Sequence, residues 1–425
     1  MAEISDFSKG FAHRVFDRMG STGQPPERGA LTVNVGTGEF LDVLRYEYLR
    51  PIKERIGNST FKLVQAPFGG GKTQFLHCLR EIAWEEGFAT ALVGLSPKEC
   101  PFDRTELIYQ EVARRLEYPP DSAESDPRQG LDAFLECVAE SRIEEAGESA
   151  FRDWVREELR RVPIESRAFR RAAVMWFEAF LEDDHQEQEM LRGYLMGEDI
   201  PRDQLRKLGL NETFEGKVAS RWIRSLAQLV HELGLPGTVF LFDEMDRNLS
   251  LTVRRRRAVG DNLREMIDYC GQSYLPGVVW CYAVPPQFMD EIVPEYPALA
   301  QRLKGASSFS SQAHMQPIID LDQIPLEPAA LYRGIGARLL ALSGHAYGWK
   351  ADQAVQERNL KELADRFDVM TMETGTRRRF VKAAATMLEA QRRAGESELG
   401  ESELSQLVEQ TAESLGLELE GEEIF

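Results

Sequence analysis

The sequence predicts an α/β protein: a parallel sheet carrying a phosphate-binding loop, with a large helical insertion and a helical C-terminal domain. Three observations predict it. A short apolar run at 61–65 ends in Ala66-Pro67-Phe68-Gly69-Gly70-Gly71-Lys72-Thr73, after which the pattern turns helical. A second apolar run, Thr238-Val239-Phe240-Leu241-Phe242, ends in the acidic pair Asp243-Glu244. Strand-type and helix-type segments alternate around both.

Composition bounds the rest. A chain of 425 residues is too long for one ordinary core, so two or more domains are expected. With 43 % hydrophobic and 28 % charged residues it is an ordinary globular mixture, which excludes wholesale disorder. No apolar run approaches the roughly 20 residues a membrane span needs. The first ten residues carry early acids and no apolar segment, so a secretory leader is not expected. Cys78, Cys100, Cys137, Cys270 and Cys281 form no CxxC pair, which fits reduced cytoplasmic thiols and argues against a zinc site. The net charge of −19 excludes a uniformly basic nucleic-acid coat. Ten of the acids lie after residue 395, so the preceding chain carries about −9 and can still present a local basic loop.

Along the chain, residues 7–19 read as an amphipathic helix and 21–28 as a Gly/Pro-rich break. Phe40, Leu44 and Tyr48 give 39–56 a helical period. Strand 61–65, helix 73–86 and buried-type strand 88–95 follow. From 104 to 232 the pattern is nearly all helical, clearest at 107–116, 131–138, 151–159, 169–181 and 222–233. Strands return at 238–242, 278–284 and 317–324, and helices at 329–342, 360–367 and 377–392. The segment from 396 to 425 has ten glutamates and no Lys or Arg; such a run is expected to be solvated and mobile, with a short helix at 404–415. The expected organisation is an N-terminal helical segment (1–58) packing on the core, a core over 59–325 with an insertion at about 100–235, a helical lid (326–395) and the acidic tail.

The glycine run fits [AG]xxxxGK[ST], with Ala66 in place of the first glycine. Three consecutive glycines let the backbone turn its N–H groups toward an anion, and the helix N-terminus adds its dipole. Lys72 would reach the β- and γ-phosphates of ATP, and Thr73, followed by Gln74, would offer a hydroxyl to Mg²⁺. Asp243 would hold Mg²⁺ through water, and Glu244 would act as the general base on the attacking water. Both carboxylates end a strand, the edge where open α/β sheets bind ligands. Asp246 and Arg247, in the same turn, are expected to form local ion pairs. No NKxD sequence is present, which favours ATP over GTP. His77 reads as a packed helix residue rather than a ligand.

These motifs resemble the AAA+ ATPases, additional-strand P-loop proteins with a helical lid. The resemblance implies a polar sensor 1 residue ending the strand at 277–286; Ala283 and Val284 stand where it is expected, and Tyr282 is a weak substitute. It also implies that Arg302, on the next helix, is an arginine finger reaching a neighbouring subunit. Arg377 or Arg378, starting a lid helix, resembles sensor 2. More narrowly, the windows from Gln65 to Leu76, Leu241-Phe242-Asp243-Glu244, Tyr296 to Leu303 and Gly375 to Val381 resemble the ATP-binding proteins of BREX-type phage-resistance systems, which are related to origin-recognition-like AAA+ proteins. That resemblance spans about 33–388. It places Val35 and Gly36 beside the adenine. It implies an oligomeric ring or filament that acts on DNA, with phage-defence partners such as a helicase, methyltransferase or nuclease; helicase loading is one form of this role. The rival reading is an ATP-binding scaffold switch with slow hydrolysis and no DNA contact.

Two arginine groups bear on that choice. Arg254, Arg255, Arg256 and Arg257 suit phosphate contacts, or equally a solvated helix start paired with nearby acids. Arg156, Arg160, Arg161, Arg167, Arg170 and Arg171 interleave with glutamates and read as a surface face.

Overall fold

The apolar runs form β1 (Thr60–Gln65), β2 (Ala89–Gly94), β3 (Leu116–Glu117), β4 (Thr238–Asp243), β5 (Val278–Val284) and β6 (Ile318–Asp320). In the computed structural model, which describes residues 4–245, 253–272, 274–303, 308–369 and 375–422, they pair in the order β3-β2-β4-β5-β1-β6. Every pairing is parallel except β2 with β3. Thus β5 lies between the strand that feeds the glycine loop and the strand that ends in Asp243. The register aligns Gln65 with Val284, and Phe242 with Tyr282, so both loops leave the same edge of the sheet.

Side chains alternate between two covered faces, which is why these strands read as continuous apolar runs rather than as polar alternation. On one face Val64, Leu241, Cys281 and Ala283 pack against Phe75, Leu76 and Leu79 of helix Lys72–Glu85. On the other, Leu63, Phe242, Trp280 and Tyr282 join the core of the helical insertion around Trp222, Trp176 and Phe169. Within the insertion, helix Arg167–Leu181 starts at Ser166, whose hydroxyl accepts the Phe169 N–H at 3.1 Å.

A third core joins helices Pro328–Tyr347, Gln353–Val369 and Thr376–Ala394 to the N-terminal helix Lys9–Thr22 through Phe11, Phe16, Leu339 and Phe380. The N-terminal segment therefore divides. Its first helix packs on the lid, and helix Gly38–Leu44 packs on the sheet core, instead of the whole segment lying on the core.

Three expectations need correction. The helix expected at 107–116 ends at Arg114, and Leu116 instead pairs with Ala91 as a short antiparallel edge. The strand expected at 317–324 pairs only over Ile318–Asp320, because the Asp320 carboxylate then accepts the Asp322 and Gln323 N–H groups and closes a turn. The acidic tail is a helix, Glu401–Glu422, with Leu404 buried on the lid. Glu396 ties its start down by accepting from Trp349 Nε1 at 3.1 Å, the Asp352 N–H at 2.8 Å and Gln356 Nε2 at 2.9 Å. Leu404, Leu407 and Val408 recur at helical spacing, and that apolar stripe outweighs the charge of its neighbours. Among the described residues no helix is long and apolar enough to cross a membrane.

Candidate functional site

The site is built at the sheet edge where β1, β4 and β5 end. After Gln65 the chain turns through Gly69 (φ 74°) and Gly71 (φ 93°), left-handed conformations that suit glycine, and enters helix Lys72–Glu85. A Cβ on Gly70 would lie 2.7 Å from the Ala66 Cβ and 2.9 Å from the Pro67 carbonyl oxygen. The loop is thus a tight cradle that side chains would fill. Lys72 is buried, and its ammonium donates to the Ala66 and Pro67 carbonyls at 2.9 and 3.1 Å. Phe68, half exposed, stands out from the loop.

Across the β5 gap, the Thr73 hydroxyl donates to Asp243 Oδ2 at 2.6 Å. Asp243 Oδ1 in turn accepts the Glu244 N–H at 2.8 Å. Glu244 itself has φ 61°, a left-handed conformation unusual for a side chain with Cβ. Its carboxylate lies against the end of β2, where a Cβ on Gly94 would come within 3.6 Å of Glu244 Oε2. Gly94, a position not singled out from the sequence, leaves that space open.

The donor set fits a triphosphate and a magnesium ion. A closed glycine cradle at a helix N-terminus with one lysine suits phosphate oxygens. A hydroxyl and a carboxylate in contact suit an ion that keeps most of its ligands as water and phosphate. Among the described residues no cluster of three or more His, Cys, Asp or Glu could hold a metal ion by itself.

The lid closes on this loop. Gly375 leads helix Thr376–Ala394, and a Cβ on Gly69 would lie 2.7 Å from the Gly375 Cα. Arg377 donates from Nη1 to the Gly70 carbonyl, and its Nη2 lies 3.9 Å from Asp322 Oδ1. Burial lowers the Arg377 pKa, which Asp322 opposes; burial likewise pushes the Asp322 carboxyl up. Asp322, in the turn after β6, is a second position that no sequence motif marks. Arg378 turns the other way and donates Nε to the Thr22 carbonyl at 2.9 Å, joining the lid to the N-terminal helix. The structure brings Arg377, not Arg378, to the phosphate loop. Thr374 lies outside the described residues.

Other candidates fall as follows. Ala283 shares the sheet face of Lys72–Glu85, whereas Tyr282 faces the opposite core, its ring 4.9 Å from Phe102 and 4.5 Å from Phe242. Arg302, on helix Pro297–Leu303, makes a bidentate pair with Asp268 at 2.6 and 2.9 Å, with its side chain about a third exposed. Val35 packs on Gly334, and Gly36 (φ 85°) on Ile324, Leu326 and Leu331, so this segment lies where the lid meets the core. Arg254, Arg255, Arg256 and Arg257 open helix Val253–Gly271; the side chains of the first two lie outside the described residues. Arg257 is exposed and Arg256 pairs with Glu295 at 3.6 Å. Asp246 and Arg247 also lie outside them. In the insertion, Arg156, Arg160 and Arg161 pair with Glu182, Glu178 and Glu157. His77 is buried beside Arg80, and burial and that charge hold its pKa down at about 3.

Neither a curated protein nor a solved structure matches the chain. The family model of the BREX system ATP-binding protein BrxC/D matches residues 12–401. That match spans the glycine loop, Asp243, Glu244 and the lid helix of Arg377, and the chain belongs to the BREX system ATP-binding protein family BrxC/D.

Proposed function

We propose that this chain is an Mg²⁺-dependent ATPase that works as an oligomeric switch or motor on DNA and partner proteins in phage defence. The observation that carries the ATPase reading is the contact of Thr73 with Asp243 across the interposed strand, with Glu244 fixed one residue further. ATP bound at the glycine loop supplies the scissile phosphoryl group, and Mg²⁺ neutralises its charge. The backbone N–H groups of 69–73 and Lys72 bind the phosphates. Thr73 and Asp243 hold the cation. Glu244 takes the proton of the attacking water at a carboxylate oxygen. Arg377, already at the loop, adds positive charge at the lid side.

Membership of the BREX ATP-binding family supports the nucleotide and the defence context. The exposed Arg257 beside Arg256 supports a phosphate-facing edge. A slower switch is favoured by two observations: Ala283 offers no polar group at the end of β5, and Arg302 is held by Asp268. The test is steady-state ATP hydrolysis by the full chain with and without Mg²⁺. Turnover that needs Mg²⁺ and disappears in Lys72→Ala supports the ATPase. Binding of ATP without any turnover, in every oligomeric state, supports the switch instead.

A further inference from the structure

Helix Lys72–Glu85 does more than start with Lys72 and Thr73. Along one side it carries Gln74 and Glu81, seven positions or about two turns apart, and both grip the segment at 30–37. Gln74, the residue after Thr73, donates Nε2 to the Ala30 carbonyl at 2.7 Å. Glu81 accepts the Ala30 N–H on Oε1 and the Leu31 N–H on Oε2, each at 3.0 Å. Those two amides belong to the first turn of a 3-10 helix, Ala30–Val33, where no intrahelical carbonyl serves them.

The strap is fixed along its whole length. Gly29 (φ 76°) sits against Phe11 and Val15 of the N-terminal helix. The Thr32 hydroxyl donates to the Gly29 carbonyl, and the Thr37 hydroxyl donates to Asn34 Oδ1, both at 2.6 Å. Its far end, Val35 and Gly36, lies against Gly334, Leu326 and Leu331 at the lid. One end is thus referenced to the residue beside Thr73 and the other lines the junction of core and lid. A nucleotide with its phosphates at Lys72 has its base on that side of the helix.

We propose that Glu81 is a positioning residue for the nucleoside half of ATP. Its bidentate grip sets the register of residues 30–37 against the phosphate loop, so that the strap meets the base while the loop holds the phosphates. The inference rests on the nucleotide-site reading above. It separates two parts of one ligand: Lys72 governs the polyphosphate, and Glu81 governs only what the base and ribose add.

The experiment is calorimetric titration of the full chain, with Mg²⁺, by ATP and by inorganic tripolyphosphate. Glu81→Ala should weaken ATP about tenfold, roughly one misplaced binding contact, and leave tripolyphosphate affinity unchanged. Glu81→Gln keeps one acceptor and should fall between wild type and Glu81→Ala, which also guards against poor folding of the larger change. Lys72→Ala should lose both ligands. Equal losses of ATP and tripolyphosphate in the Glu81 variants, or no loss of either, overturn the positioning role. Wild-type protein that binds neither ligand overturns the nucleotide-site reading itself.

Discussion

Lys62 gives a prediction whose sign and size follow from the structure. It sits in β1, 1 % exposed, three residues before the glycine loop. Its ammonium donates to Tyr48 Oη and to the His314 and Gln316 carbonyls, each at 2.9 Å, and lies over the rings of Tyr48 and Phe309. None of these hydrogen-bond partners is a carboxylate. Burial therefore dominates and pulls the pKa from 10.5 to about 7, with only Cys281 opposing. The unfolded chain then holds more protons at this site than the folded one throughout pH 7 to 10.5. Stability must rise with pH across that window, by up to about 1.4 kcal/mol per unit.

Cys281 and Cys78 are buried thiols with raised pKa, which reverse the slope once unfolded thiols ionise. The clean window is therefore pH 7 to 8.5, worth on the order of 1–2 kcal/mol. Urea denaturation of wild type and Lys62→Met at several pH values in that window measures it. The wild type should gain stability as pH rises and Lys62→Met should not. Parallel curves for the two proteins would refute the reasoning, and would mean that three hydrogen bonds and two ring faces keep the ammonium charged at no cost.

Other outcomes follow from the same geometry. Arg302→Ala should reduce hydrolysis tenfold or more in an assembled oligomer while leaving ATP affinity unchanged, if this arginine exchanges Asp268 for a neighbour's phosphate; unchanged turnover would leave Arg302 as a local ion pair. Replacing Arg254, Arg255, Arg256 and Arg257 by alanine should weaken DNA binding and flatten its salt dependence, read by titration at several salt concentrations; an unchanged slope removes these residues from the DNA reading. Removing residues 396–425 should lower the midpoint of thermal unfolding by several degrees, because it strips Leu404 from the lid core and orphans Trp349 Nε1.

What the sequence reveals and hides divides along physical lines. The glycine loop and the acidic strand end are local: their residue order alone dictates close backbone approach and paired carboxylates. The strands that bear them were legible because both sheet faces are covered and their runs are apolar throughout. The insertion of β5 between them was not, since strand order is set by non-local pairing. The same holds for the choice between Arg377 and Arg378. One hundred degrees of helix rotation separate them, and only the docking of the lid decides which faces Gly70 and which faces Thr22. Glu81 and Asp322 lack any motif, because each acts through a backbone segment far away in sequence. The tail misled for a different reason: its glutamates dominate composition, but Leu404, Leu407 and Val408 decide the packing.

The central claim is that Thr73, Asp243 and Glu244 form one hydrolytic site on ATP. Its most direct test is the fate of bound nucleotide in Glu244→Gln, which keeps the size and the N–H to Asp243 but removes the base. Incubated with Mg²⁺ and labelled ATP, the variant should retain intact ATP with wild-type affinity and lose at least a hundredfold in turnover. ADP and phosphate released at the wild-type rate would contradict the account.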